Sequence, residues 1–88
     1  TLYTIAAHNK LVSDVKFEPN NGHIILSSGY DGYCRLWSGI DYSLIKNIKA
    51  HEDKVMRCDI QVNADHFVSV SHDRNIKLWS YHEQEQIL

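Results

Sequence analysis

The chain repeats itself once, and this internal repeat limits its fold more than any other feature. His8 in the first half corresponds to His51 in the second, 43 residues later, and Trp37 corresponds to Trp79, 42 residues later. In each half an Asp lies six residues before the Trp. A repeat of about 40 residues indicates a fold built from stacked copies of one small unit. Since such a unit cannot bury its own faces, we expect the two halves to pack together within a larger assembly of the same units.

The apolar segments are short, rich in β-branched residues and separated by turn signals, which predicts an all-β fold. The predicted strands are residues 2–5, 12–17, 23–28 and 33–37, then 44–48, 55–60, 66–70 and 75–79. The turn over 18–22 carries Pro and Asn-Gly. The turn region that contains 63–65 in the second repeat lacks one residue by comparison, which explains the change in offset from 43 to 42. The polar tail over 81–88 leaves two possibilities, an irregular end or one added strand.

Composition suits a folded protein and gives no sign of a specialised class. The chain has 88 residues, of which 43% are hydrophobic and 23% charged, and its net charge is −2. This balance argues against a strongly basic nucleic-acid-binding domain. Cys34 and Cys58 form no C-x-x-C pair, so we expect two buried thiols in a reducing compartment. No apolar run approaches the roughly 18 residues of a membrane-spanning helix.

Both halves resemble the WD-repeat family of β-propellers, and the resemblance covers essentially the whole chain. The Gly-His that opens a family repeat is Ala7-His8 and Ala50-His51 here, and the Trp-Asp that ends it is Trp37-Ser38 and Trp79-Ser80. The resemblance implies a propeller fragment of about two blades, each a four-stranded antiparallel sheet. Residues 1–88 would be part of one propeller domain, with repeat one at about 1–43 and repeat two at about 44–88.

The family also implies a structural hydrogen-bond network in each repeat. It joins the loop His, a second-strand Ser or Thr, the turn Asp and the third-strand Trp. The matching residues are His8, Ser27, Asp31 and Trp37 in the first repeat, and His51, Ser69, Asp73 and Trp79 in the second. Ser28 is adjacent to Ser27, and Ser71 lies two residues after Ser69, so the choice of serine in each repeat stays open.

An enzymatic function is not expected. His51, Asp73 and Ser69 are the residue types of a catalytic triad, but the same trio recurs in the other repeat, as expected of a structural element. Asp14 and Asp59 could be paired as an acid and a base, yet both fall at strand positions where we expect side chains to face solvent. The pattern offers no catalytic residues, no metal site and no cofactor.

A binding surface is the better functional hypothesis. In the family, the residue before the turn Asp and the loop beside the His face one rim of the propeller. The candidate partner-binding rim is therefore Lys10, Leu11, Tyr30, Asp53, Lys54 and His72. A nucleic-acid platform of Tyr30, Tyr33, Arg35 and Lys10 is the alternative, which the surrounding acids and the negative net charge disfavour.

A narrower resemblance lies in three segments, 9–19, 50–56 and 73–79. They are similar to the last two repeats of the WD-repeat subunits of the U4/U6 small nuclear ribonucleoprotein. This implies a non-enzymatic, nuclear scaffold in pre-mRNA splicing, with protein partners of the processing-factor-three type and a cyclophilin-type isomerase. RNA association would be indirect, with no membrane contact, and the isolated fragment is expected to oligomerise. The alternative is a WD-repeat adaptor of another assembly, such as a ubiquitin-ligase substrate receptor.

Overall fold

A computed structural model of the chain describes residues 1–80 and 85–87, and nearly all of its regular secondary structure is β-strand. Two four-stranded antiparallel sheets follow each other along the chain, each with its strands in sequence order. Sheet one contains β1 (Val12–Phe17), β2 (Ile24–Gly29), β3 (Tyr33–Ser38) and β4 (Leu44–Lys49). Sheet two contains β5 (Val55–Ile60), β6 (His66–Ser71), β7 (Ile76–Ser80) and β8 (Glu85–Gln86), with a 3₁₀ turn at Val62–Ala64. The prediction of two four-stranded antiparallel blades is confirmed.

The last strand settles one of the alternatives for the tail. Glu85 and Gln86 pair with Ser80 and Trp79, so part of the tail is an added strand of sheet two. Residues 81–84 and 88 lie outside the described residues.

The strand predicted over residues 2–5 is wrong. Its counterpart in the second repeat is β4, which pairs with β3 and thereby closes sheet one. A β-strand needs a neighbour for its backbone hydrogen bonds, and among the described residues none is paired with 2–5. The sheets are therefore offset by one strand from the repeats, because β4, the opening segment of repeat two, belongs to sheet one.

The apolar core lies between the two sheets. Alternation along the strands places Leu26 and Leu36 on one face of sheet one, where they join Val55 and Phe67 of sheet two in one buried cluster. The Phe67 ring stacks beside Trp79 with centroids 6.3 Å apart. This packing holds the two sheets as a stacked pair.

Both cysteines belong to this core, and both are free, which confirms the prediction of buried thiols. Burial raises the pKa of the Cys58 thiol to about 11, and it also raises the pKa of Cys34. Neither thiol therefore ionises near neutral pH, and both behave as small apolar side chains.

Polar side chains of β1 bridge the sheets at one edge of the core. The Ser13 hydroxyl donates to the Val55 carbonyl at 2.6 Å, and an Asp14 carboxylate oxygen accepts from the Cys58 N–H at 3.2 Å. The prediction that Asp14 faces solvent is wrong, because the β-bulge at Val12–Asp14 turns it toward the seam. Burial alone would raise the pKa of Asp14, but Lys16 and the backbone donors outweigh it and lower that pKa. Asp59 is exposed, as predicted.

The turn after the second strand differs between the repeats in one informative residue. Gly32 has a φ of 85°, and its counterpart Arg74 has a φ of 72°. A left-handed conformation costs a non-glycine residue about 1–2 kcal/mol. We expect Arg74→Gly to raise the free energy of unfolding by about 1 kcal/mol, since relief of this strain exceeds the added flexibility of the unfolded chain.

Urea unfolding checks this prediction, with Gly32→Ala as the opposite control. An added Cβ at Gly32 would collide with the His51 carbonyl, so that variant should lose stability. A lower urea midpoint for Arg74→Gly would contradict the strain argument.

Candidate functional site

The structure brings the four network residues of the first repeat together. His8 Nδ1 lies 3.1 Å from an Asp31 carboxylate oxygen, and His8 Nε2 lies 2.8 Å from the Ser27 hydroxyl. The indole N–H of Trp37 donates to the same hydroxyl at 3.0 Å. The chain of contacts thus runs from the turn through the loop His and the second strand to the third strand.

The second repeat has the same arrangement, with its histidine and serine buried. His51 lies 2.8 Å from Asp73 through Nδ1 and 2.7 Å from Ser69 through Nε2. The Trp79 indole donates to Ser69 at 3.1 Å. His51 is 2% exposed and Ser69 is 0% exposed.

The geometry also distinguishes the alternative serines. Ser28 contacts Ser13 at 2.9 Å, and Ser71 donates to the Lys54 carbonyl at 2.7 Å. Ser27 and Ser69 are the two serines that lie between a histidine and a tryptophan.

The donors and acceptors fit one proton arrangement. Trp can only donate, so the serine oxygen accepts from the indole and its own proton goes to His Nε2. The other ring nitrogen then carries its proton and donates to the aspartate. This order resembles a catalytic triad, but Ser69 has no exposed surface for a substrate to reach. The network is therefore suited to holding loops in place.

Electrostatics favours a neutral histidine and a charged aspartate in the first network. Burial lowers the pKa of His8 below its ordinary value of 6.5, and Arg35 adds to this effect, whereas Asp31 opposes it. Burial alone would raise the pKa of Asp31, but the N–H groups of Tyr33 and Asn9 together with His8 outweigh it and lower that pKa. Desolvation alone would also raise the pKa of Asp73, but the Asn75 N–H and His51 outweigh it and lower that pKa.

These shifts predict how stability depends on pH. The unfolded chain binds a proton at His8 more readily than the folded chain, so stability should fall as pH drops below about 6.5 toward the lower folded pKa. The Asp31 and Asp73 carboxylates carry the opposite charge when ionised, but they too make the stability of the fold decrease as pH drops. Their contribution is complete above the ordinary value of 3.8 and is lost as pH falls below it.

Urea midpoints measured from pH 8 to pH 3 test this prediction. The His8→Gln variant should be less stable than the unmodified protein at pH 8. As pH falls, it should not show the decrease in stability that begins near pH 6.5 in the unmodified protein. If both proteins lost stability in parallel between pH 7 and pH 5, the assignment of that decline to His8 would be wrong.

A cation four residues after each turn aspartate was missed by the sequence analysis. One Arg35 Nη donates to the Ala7 carbonyl at 2.7 Å and to Asp31 at 3.2 Å. Lys77 takes the equivalent position and donates to the Ala50 carbonyl at 2.9 Å. Both tie the loop before the histidine to the third strand. The recurrence of Asp-x-x-x-(Arg or Lys) in both repeats is the sequence signal that could have found them.

Most of the candidate rim residues are linked along one edge of the sheets. The Tyr30 N–H donates to the Leu11 carbonyl at 2.9 Å, and the His72 N–H donates to the Lys54 carbonyl at 3.1 Å. The Lys54 ammonium lies 5.1 Å from the centre of the Tyr30 ring. Lys10 and Asp53 are exposed and adjoin Leu11 and Lys54 in the chain. The candidate rim residues thus lie on turns and loops beside the two networks.

Comparison with known families agrees with this architecture. The family model described as WD domain, G-beta repeat, matches residues 1–38 and again residues 42–80. The chain belongs to the WD40 repeat family. Propellers of this family generally serve as non-enzymatic interaction scaffolds.

A solved structure and two curated proteins show what this WD40 chain is similar to. The crystal structure of the WD40 β-propeller domain of Doa1 superimposes with a TM-score of 0.80 and 30% identity, covering 92% of this chain and 27% of that one. The U4/U6 small nuclear ribonucleoprotein PRP4-like protein of Arabidopsis thaliana is 46% identical over 63 residues. The U4/U6 small nuclear ribonucleoprotein PRP4 of Saccharomyces cerevisiae is 34% identical over 80 residues. These two matches cover 72% and 90% of this chain, which spans 11% and 17% of the relatives' lengths.

Within its described part, the WD40 chain has neither a cluster of metal-ligating side chains nor a membrane-spanning helix. No group of three or more His, Cys, Asp or Glu side chains is arranged to hold a metal ion among residues 1–80 and 85–87. Over the same ranges no helix has the length and apolar character needed to cross a membrane.

Proposed function

We propose that this chain serves as part of a protein-interaction scaffold in the U4/U6 and U4/U6·U5 small nuclear ribonucleoproteins during pre-mRNA splicing. The observation that carries the proposal is its 46% identity to the Arabidopsis PRP4-like protein over 72% of the chain. The similarity to the yeast pre-mRNA-processing factor 17, 30% over 82% of the chain, supports a splicing role of the same general kind.

The mechanism is rigid display of side chains at the ends of the strands. Each network ties a turn and a loop to the buried part of its sheet, so the rim side chains are ordered before a partner arrives. Ordering in advance reduces the entropy lost on binding. The rim comprises Lys10, Leu11, Tyr30, Asp53, Lys54 and His72.

We further propose that residues 1–88 belong to one propeller domain, with repeats at about 1–43 and 44–88. The support is an equivalence between two sheet faces. Val15 and Phe17 of β1 are 51% and 61% exposed, whereas their repeat counterparts Cys58 and Ile60 are buried against sheet one. A further blade stacked on sheet one would cover Val15 and Phe17 in the same way. Without such a blade, this face would favour association between copies of the chain.

The proposed location is the nucleus. The proposed partners are a subunit of the processing-factor-three type and a cyclophilin-type isomerase, with RNA held indirectly through such proteins. A WD-repeat adaptor in another assembly, such as a ubiquitin-ligase substrate receptor, is the alternative. The chain is also 28% identical to the Polycomb protein esc of Drosophila melanogaster over 89% of its length, so similarity of this level extends beyond splicing proteins.

Mass spectrometry of proteins that co-purify with the tagged full-length protein from nuclear extract tests the proposal. Recovery of U4/U6 protein subunits is the expected result. Recovery of ubiquitin-ligase subunits or another complete complex, without splicing subunits, would replace the splicing proposal by the adaptor alternative.

A further inference from the structure

Two tyrosine–lysine pairs flank the turn between β2 and β3. The Lys54 ammonium lies 5.1 Å from the Tyr30 ring centre, and the Lys49 ammonium lies 5.2 Å from the Tyr33 ring centre. We call these four residues the tyrosine–lysine corner. Both lysines are exposed and both tyrosines are half-buried, so two exposed positive charges stand beside two aromatic surfaces. The Arg35 guanidinium also lies 4.8 Å from the Tyr33 ring centre, but hydrogen bonds to Asp31 and the Ala7 carbonyl hold it in the first network.

The backbone beneath the corner is fixed by hydrogen bonds from the neighbouring loop and sheet. The Gly32 carbonyl accepts from the N–H groups of Ala50 and His51 at 2.9 and 3.0 Å. The Lys54 carbonyl accepts from Ser71 and His72. The turn and the loop that carry the corner therefore form one rigid unit across the two sheets, which favours recognition by limiting the loss of entropy on binding.

An apolar surface adjoins the positive charges. Leu11 is 62% exposed, and its carbonyl accepts from the Tyr30 N–H at 2.9 Å. An aromatic or aliphatic side chain of a partner could rest on Leu11 and Tyr30 while acidic neighbours reach the lysines. Tyrosine is one of the residues that contribute most to binding energy at protein interfaces.

The charge pattern favours a peptide over a nucleic acid. A phosphate backbone needs a stripe of cations along its length, whereas Glu52 and Asp53 interrupt the positive charge between Lys49 and Lys54. A short peptide can place separate carboxylates on the two lysines and leave the interrupting acids in solvent.

We infer that the tyrosine–lysine corner, together with Leu11, binds an acidic peptide segment that carries an apolar side chain among its carboxylates. The inference rests on the proposed function as an interaction scaffold and names the partner chemistry for one part of its rim. It adds Tyr33 and Lys49 to the candidate partner-binding rim.

Fluorescence anisotropy with the full-length protein tests the inference. The probe is a fluorescein-labelled peptide, Gly-Asp-Glu-Phe-Asp-Glu-Gly, compared with the same peptide carrying Lys in place of Asp and Glu, and with an eight-nucleotide uridine RNA. The test variant combines Lys49→Gln with Lys54→Gln. The matched control is Arg57→Gln, which removes an exposed cation from β5.

The expected result is salt-sensitive binding of the acidic peptide, weakened about five- to tenfold in the double variant and unchanged in the control. Equal binding of the acidic and basic peptides, stronger binding of the RNA, or an unaffected double variant would overturn the inference.

The same double variant separates this inference from the proposed function. If the variant and the unmodified protein both co-purify with U4/U6 subunits but neither binds the acidic peptide, the corner inference fails alone. If the peptide binds through the lysines but splicing subunits are absent, the splicing proposal fails alone.

Discussion

Replacing Ser69 with alanine is expected to lower the free energy of unfolding by about 3 kcal/mol, because two buried groups lose their partner at once. The Trp79 indole N–H would have no acceptor, and His51 Nε2 would have no donor. Each unsatisfied buried group costs about 1–3 kcal/mol. Water cannot replace the hydroxyl easily, since Ser69 has no exposed surface.

Urea denaturation of the 88-residue chain measures this loss, and Ser43→Ala is the matched control. The Ser43 hydroxyl donates to Asp41 at an exposed position, so its removal should change stability by less than about 0.5 kcal/mol. Equal effects of the two substitutions would contradict the view that the network, rather than serine itself, supports the fold.

Truncating Phe67 is the second large effect that we expect. Phe67→Ala should cost about 3–5 kcal/mol, since it removes a large buried ring and leaves a cavity in the core between the sheets. The side chain is 1% exposed and stacks beside Trp79. Because this core joins the two sheets, we expect the substitution to lower the stability of both sheets together, rather than to loosen one strand alone.

Phe17→Ala provides the control for aromatic truncation. Phe17 is exposed in this structure, so its removal should cost less than about 1 kcal/mol in the 88-residue chain. The measurement is the free energy of unfolding from urea titration followed by tryptophan fluorescence. A Phe67→Ala variant as stable as Phe17→Ala would mean that the sheets do not stack as described.

Much of this fold could be predicted because the repeat and the strand period are local properties of the sequence. The short apolar runs, such as residues 24–26, and the recurrence of His, Asp and Trp are visible without knowing which strands meet. The position of residues 2–5 could not be predicted, because an isolated strand pattern does not say whether a neighbour is present to pair with it.

The parts that depend on contacts across the two sheets were the hardest to predict. Asp14 looked solvent-facing by simple alternation, but a bulge in β1 turns it toward the Cys58 N–H of β5. The sequence analysis named Arg35 only in the alternative nucleic-acid platform, yet it reaches back 28 residues to the Ala7 carbonyl. The recurring Asp-x-x-x-(Arg or Lys) spacing marks Arg35, but the distant partner of Asp14 or Arg35 depends on how segments far apart in sequence pack together.

The most direct test of the splicing proposal is to isolate the full-length protein from nuclear extract and sequence the RNA that remains bound to its complexes. The proposal predicts strong enrichment of U4 and U6 RNAs over other small nuclear RNAs. Recovery of another intact complex without U4 and U6 would contradict a role in the U4/U6 particle.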